Sequence, residues 1–139
     1  MPPELRDEVA DWLVRVRADL LAAETLLVVP RPVPGVACFL CQQAAEKALK
    51  AFLAWRQTAF RKTHSLEYLL DLCTPLDGSF DRLRTIGRAL TPYAWEFRYP
   101  GMAPEPPLET AHEGLRFARE VVRHVLDHLP AELRPEWFA

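Results

Sequence analysis

Glycine is scarce in this chain, with 5 residues among 139, and no Gly-x-Gly-x-x-Gly or Walker loop is present. Glycine-rich loops allow backbone amides to approach and cradle phosphate groups, so their absence excludes the common nucleotide-binding loops. Any phosphate that this protein binds is therefore expected to contact side chains.

Cysteine is also scarce, and the 3 cysteines do not form a ligand set for zinc. Cys38 and Cys41 lie within a helical pattern and Cys73 stands alone, so we interpret all three as small buried hydrophobes in a reducing compartment. His124 and His128 have the i, i+4 spacing of metal ligands, but the sequence supplies no third ligand. We expect neither a bound metal nor a cofactor.

Neither sign of charge dominates, because 17 basic residues face 19 acidic ones and the formal net charge is −2. This balance excludes a histone-like basic DNA binder and an acidic tail protein. No apolar run approaches the ~20 residues that a membrane helix needs. Residues 1–8 lack the basic start and apolar core of a signal peptide, so we expect a cytoplasmic protein without a membrane segment.

The apolar residues recur at three- and four-residue steps, which predicts helices throughout. The predicted helices cover residues 4–27, 36–55 and 65–73, then a fourth from Phe80 with Ser79 as its cap, and a last one at 108–129. Pro92 is expected to kink the fourth helix, with residues 93–98 as a continuing piece. The pattern predicts a single all-α domain over residues 1–139, an antiparallel up-and-down bundle of four long helices plus one short helix. The core covers about residues 5–129, and the tail 130–139 carries Trp137 and Phe138, which we expect to dock on the body or on a partner.

The second helix carries a polar stripe of Gln43, Lys47 and Lys50 beside its apolar arc. Phe39 and Leu53 fall outside that arc, so we expect a homodimer with this helix near the interface. Two interpretations of the basic residues in the second and fourth helices and in the loop after the second stay open: an ordinary solvated face, which the charges alone favour, and a phosphate-binding surface. These residues are Lys47, Lys50, Arg56, Arg61, Lys62, Arg82, Arg84, Arg88 and Arg98.

Four segments in order resemble the HEPN-domain family, the higher-eukaryote and prokaryote nucleotide-binding helical domain. They are an early helix with Trp12 and Asp19, the segment ACFLCQQAAEKALKA at residues 37–51, KTHSL at residues 62–66, and YAWEFRYP at residues 93–100. The last segment resembles the branch of the family whose fourth helix ends in Arg-Tyr-Pro. The resemblance covers roughly residues 5–128.

The resemblance implies a dimeric helical bundle with nucleotide or RNA chemistry, encoded beside a minimal nucleotidyltransferase in a toxin–antitoxin-like pair. It assigns nucleotide binding to Gln43, Lys47, Lys50, His64, Tyr93, Arg98 and Tyr99. Lysine and arginine would meet phosphate, a tyrosine would stack on a base, and His64 would bind phosphate or ribose.

The chain departs from HEPN ribonucleases, which carry an arginine followed four to six residues later by a histidine. After Arg98 the next histidine is His112, and Arg119 with His124 lies in the wrong sequence context. The favoured interpretation is a non-catalytic nucleotide- or RNA-binding module. Two alternatives stay open: a metal-independent ribonuclease toxin using Arg98 and His64, and a module that binds only a partner protein.

Overall fold

The computed structural model describes residues 1–138 and contains no strand within that range. Its α-helices are α1 (Pro3–Val28), α2 (Pro34–Trp55), α3 (Leu66–Cys73), α4 (Arg84–Leu90) and α5 (Leu108–Asp127). The all-α architecture predicted from the periodicity is confirmed. No helix in the described part of the chain is long and apolar enough to cross a membrane.

Helix α2 is the centre of the bundle and packs most extensively against α1 and α5. Small residues along it, among them Ala37, Ala44, Ala48 and Ala51, are fully buried and let the neighbouring helices approach closely. The helix begins at Pro34, earlier than expected, because proline is well suited to the first turn, where no backbone N–H is required.

The two residues that motivated a dimer at α2 differ in how far the chain itself covers them. Leu53 is completely buried in the core. The guanidinium of Arg98 lies over the ring of Phe39, with Cζ 4.1 Å from the ring centroid. Leu53 therefore requires no second subunit to cover it, whereas Phe39 is only partly buried.

The predicted fourth helix is divided into segments. A 3₁₀ helix (Gly78–Leu83) precedes α4, and a second 3₁₀ helix (Thr91–Ala94) follows it. The cap prediction was wrong: Asp77 is the capping residue, and its side chain accepts the backbone N–H of Ser79. Pro92 ends regular helix here, so residues 95–98 form turns instead of a helical continuation.

The C-terminal tail packs on the body of the bundle. Leu133 is buried, and the Arg134 guanidinium donates to the carbonyls of Leu129 and Asp127. Trp137 and Phe138 pack against the core beside α1 and α5. The tail prediction also covered Ala139, which lies outside the described residues.

Candidate phosphate-binding face

One side of α2 carries the polar residues around which the candidate site is built. Phe39, Gln43, Glu46 and Lys50 follow one another at steps of four, three and four residues, so they share one face of the helix. That face spans about 16 Å from Phe39 to Lys50 at the rise of an α-helix. The loop 56–65 covers one end of it, and the turn at residues 95–99 covers the other.

Glu46 is the hub of this face and is only 4% exposed. Its Oε2 accepts the Lys50 ammonium at 2.9 Å, and its Oε1 accepts His64 Nδ1–H at 2.8 Å and the Gln42 amide at 3.2 Å. Gln42 is completely buried and also donates to the His64 carbonyl at 2.9 Å. A buried carboxylate is tolerated when its oxygens are hydrogen-bonded in this way.

Both predicted phosphate-binding lysines of α2 are paired with carboxylates of the chain. Lys47 binds Asp19 of α1 at 2.7 Å. Lys50, which is 7% exposed, binds Glu46, and its ammonium lies near the rings of Trp12 and Phe60, 5.6 and 5.7 Å from their centroids. Their charges serve first to join α2 to α1 and to the loop 56–65.

His64 is placed differently, because its side chain is 56% exposed. The carboxylate of Glu46 only accepts hydrogen bonds, so Nδ1 carries the proton of their shared bond and Nε2 is left for another partner. The ring faces a cavity of about 460 Å³ lined by Lys50, Lys62, Thr63 and His64. These four residues include cations and no carboxylate.

Arg98 and Tyr99 lie at the opposite end of the same face. Arg98 is exposed, donates to the Ala94 carbonyl at 3.2 Å, and approaches the ring of Tyr99 to 5.5 Å. Tyr99 is 54% exposed, so its side chain is accessible to a ligand. Arg98 lies beside Phe39 and His64 beside Glu46, and these two α2 residues are about 10 Å apart along the helix.

The remaining predicted residues, Gln43 and Tyr93, are partly buried. Gln43 donates to Gln42 Oε1 at 2.7 Å, which fixes its amide inside the network. Tyr93 packs against Phe97, with ring centroids 5.5 Å apart, and burial raises the pKa of its hydroxyl to about 12. Sequence reasoning missed Gln42 and Glu46 as members of the site, although both fall on the polar side of α2 next to the residues it chose.

A second polar cluster joins the segment before α4 to the end of α5. The Ser79 hydroxyl contacts Asp77 Oδ1 at 2.6 Å, His124 Nε2 at 2.9 Å and His128 Nε2 at 3.2 Å. The His128 Nδ1–H donates to the His124 carbonyl at 2.7 Å. Within residues 1–138, no group of three or more His, Cys, Asp or Glu side chains is arranged to hold a metal ion.

The described residues form an all-α helical bundle with a polar face on its central helix. The family model for the HEPN domain matches residues 9–128, and the chain belongs to that family. The chain is similar to the solved crystal structure of the protein TT1696 from Thermus thermophilus, with 30% sequence identity and a TM-score of 0.71. That match covers 87% of this chain and 98% of the other. No curated protein gives a significant match.

Proposed function

We propose that the protein is a non-catalytic module that binds the phosphates of RNA or of a nucleotide along the polar face of α2. The observation that carries this proposal is the cavity of about 460 Å³ beside His64, whose lining holds cations and no carboxylate. Lys62 is exposed there and has the charge of a phosphate ligand, while His64 Nε2 supplies a directed hydrogen bond.

The position of Arg98 favours RNA over a single phosphate group. Arg98 and His64 contact α2 residues about 10 Å apart, so one phosphate would not meet both groups, whereas successive phosphates of one strand would. Tyr99, adjacent to Arg98, offers an exposed ring for a base. In this proposal Lys47 and Lys50 support the face through their carboxylate partners, and Lys62, His64 and Arg98 contact the ligand.

Replacing Lys62 with alanine is expected to weaken RNA binding across sequences and to reduce the salt dependence of the association constant by about one unit of slope. The reason is that one lysine–phosphate contact, with its released counterion, is lost. Fluorescence anisotropy with a labelled single-stranded RNA, titrated at several salt concentrations, measures both quantities.

Arg88→Ala is the matched control. The charge pattern groups Arg88 with the other basic residues, but in the structure it is an exposed cation on α4, it does not line the cavity beside His64, and its only polar partner among the described residues is Thr85. It removes the same charge away from the α2 face and is expected to leave binding close to that of the parent. Equal losses of RNA affinity in the two variants would show that only the net charge of the protein matters. That result would contradict the proposed site. No affinity for RNA or for any nucleotide in the parent would favour a module that binds only a partner protein.

A metal-independent ribonuclease is the second candidate function, and the Glu46–His64 hydrogen bond favours it. A carboxylate that fixes Nδ1–H leaves Nε2 of the exposed ring able to exchange a proton with a ribose hydroxyl. Arg98 would then steady a neighbouring phosphate. This candidate predicts RNA cleavage in the presence of EDTA and a rate reduced about 10²–10⁴-fold in His64→Ala. RNA that stays intact at stoichiometric excess of protein excludes it.

The family resemblance supports two further parts of the proposal. One is a homodimer, and the other is a minimal nucleotidyltransferase as partner in a toxin–antitoxin-like pair. An interface at α2 loses the support of Leu53, which is buried within one chain, and Phe39 is only partly buried. Other exposed apolar surfaces are therefore candidates for the homodimer interface.

A further inference from the structure

Helix α1 carries a row of residues that stay exposed within the described chain. Val14 is 66% exposed, Leu21 48% and Val28 80%. Ala18 and Thr25 lie between them and are also exposed. The five residues follow one another at steps of four and three, so they form one straight row, which we name the α1 seam.

The composition of the α1 seam is that of a helix-pairing surface. Three branched aliphatic side chains alternate with two small residues, which lets a second helix approach closely. The Thr25 hydroxyl donates to the Leu21 carbonyl at 2.8 Å, so its polar atom is already satisfied within the helix. From Val14 to Val28 the row is about 21 Å long.

Charges beside the α1 seam specify how a second copy would pair. Arg17 and Glu24 flank it on the same side, seven residues apart, and Glu24 uses Oε1 to bind Arg119 within the chain at 2.8 Å. When two antiparallel copies are related by a two-fold axis, the side of the seam that carries Arg17 and Glu24 in one copy meets the same side in the other. Arg17 of each copy then lies near Glu24 of the other and adds a second cation to that carboxylate. A parallel pair would place Arg17 and Glu24 opposite Ala22 and Val29 and would form no ion pair.

We propose that the α1 seam is a self-association surface and that two copies of this chain pair there antiparallel, with the two-fold axis near Leu21. The inference deepens the homodimer of the proposed function and assigns its interface. Three exposed aliphatic side chains on each copy form an interface smaller than the standard ~800 Å² per partner, so the dimer is expected to dissociate on dilution.

Replacing Leu21 with glutamate is expected to abolish the dimer, since it places two carboxylates beside each other near the axis. Light scattering coupled to size-exclusion chromatography over a range of concentrations should show the parent rising above its 15.9 kDa monomer mass. Leu21→Glu should keep the monomer mass throughout. Met102→Glu, which charges another exposed apolar residue, should dimerise like the parent. A parent that stays monomeric, or a dimer lost only in Met102→Glu, overturns the proposal.

Cysteine cross-linking tests the orientation separately. A short bis-maleimide is expected to link Val14→Cys to Val28→Cys when the two variants are mixed, and not to link Val14→Cys to itself. The native thiols are protected, because Cys38, Cys41 and Cys73 are fully buried and burial raises the pKa of each to about 12. Efficient self-linking of Val14→Cys would show a parallel pair and contradict the assignment. RNA binding is measured by anisotropy on the same samples. The result separates a failure of the proposed dimer interface from a failure of the proposed RNA binding.

Discussion

Replacing Lys50 with methionine is expected to lower the free energy of unfolding by about 3–5 kcal/mol, the usual cost of breaking a buried ion pair. The methionine retains most of the packing against Trp12 and Phe60. Glu46 loses its ammonium partner, however, and stays buried as a carboxylate. Urea denaturation followed by circular dichroism measures the loss.

Two further variants isolate the ion pair from the packing. Lys62→Met changes an exposed lysine in the same cavity and is expected to alter stability by less than about 0.5 kcal/mol. The double variant Lys50→Met with Glu46→Gln removes both charges. It should be more stable than the sum of its single changes predicts, because no uncompensated carboxylate remains. Additive losses, or a loss below about 1 kcal/mol in Lys50→Met, would contradict the role of Glu46 as a charged hub.

Replacing Phe80 with alanine is expected to destabilise the protein by about 3–5 kcal/mol. Phe80 is fully buried, and its ring centroid lies 4.4 Å from that of Phe52 and 4.6 Å from that of His124. Its segment is a short 3₁₀ helix with little stability of its own, so this side chain anchors it to α2 and α5. Tyr99→Ala, an exposed aromatic deletion, is the control and should change stability little.

The same variant has a signature in the titration of His124. Burial, then the neighbouring His128 and Arg82, lower the pKa of His124. The unfolded chain therefore binds more protons at this position just below its ordinary pKa, and stability falls as the pH falls through that window. Phe80→Ala exposes the ring, so NMR titration should show the pKa of His124 rising toward its ordinary value. An unchanged pKa alongside a large stability loss would refute this role of Phe80.

The helical fold could be predicted from the sequence, because the residues that each helix buries are apolar and recur at helical spacing. The steps along α1, α2 and α5 identify the residues that face the core, and these residues are buried as expected. The fourth helix was less predictable. Its apolar spacing is helical, but the Asp77 cap and Pro92 favour short 3₁₀ turns on either side of α4.

The candidate site could be predicted only in part, because its geometry depends on contacts between segments that are distant in sequence. A sequence shows that Lys47, Lys50 and Arg98 carry charge, but not which carboxylate or ring meets each one. Asp19 is 28 residues from Lys47, and Phe39 is far along the chain from Arg98. Such pairings arise when α1, α2 and the later turns pack together, and they decide which cations remain for a ligand.

The sequence by itself determined the all-α class, the HEPN resemblance and the polar side of α2, since each depends on residue type and local spacing. The tertiary structure alone decided that Glu46 is buried at the centre of the hydrogen-bond network, that the His64 ring is exposed, and that Leu53 is buried. It alone left the α1 seam exposed. These properties depend on distances between segments remote in sequence, and only the packed chain brings those segments together.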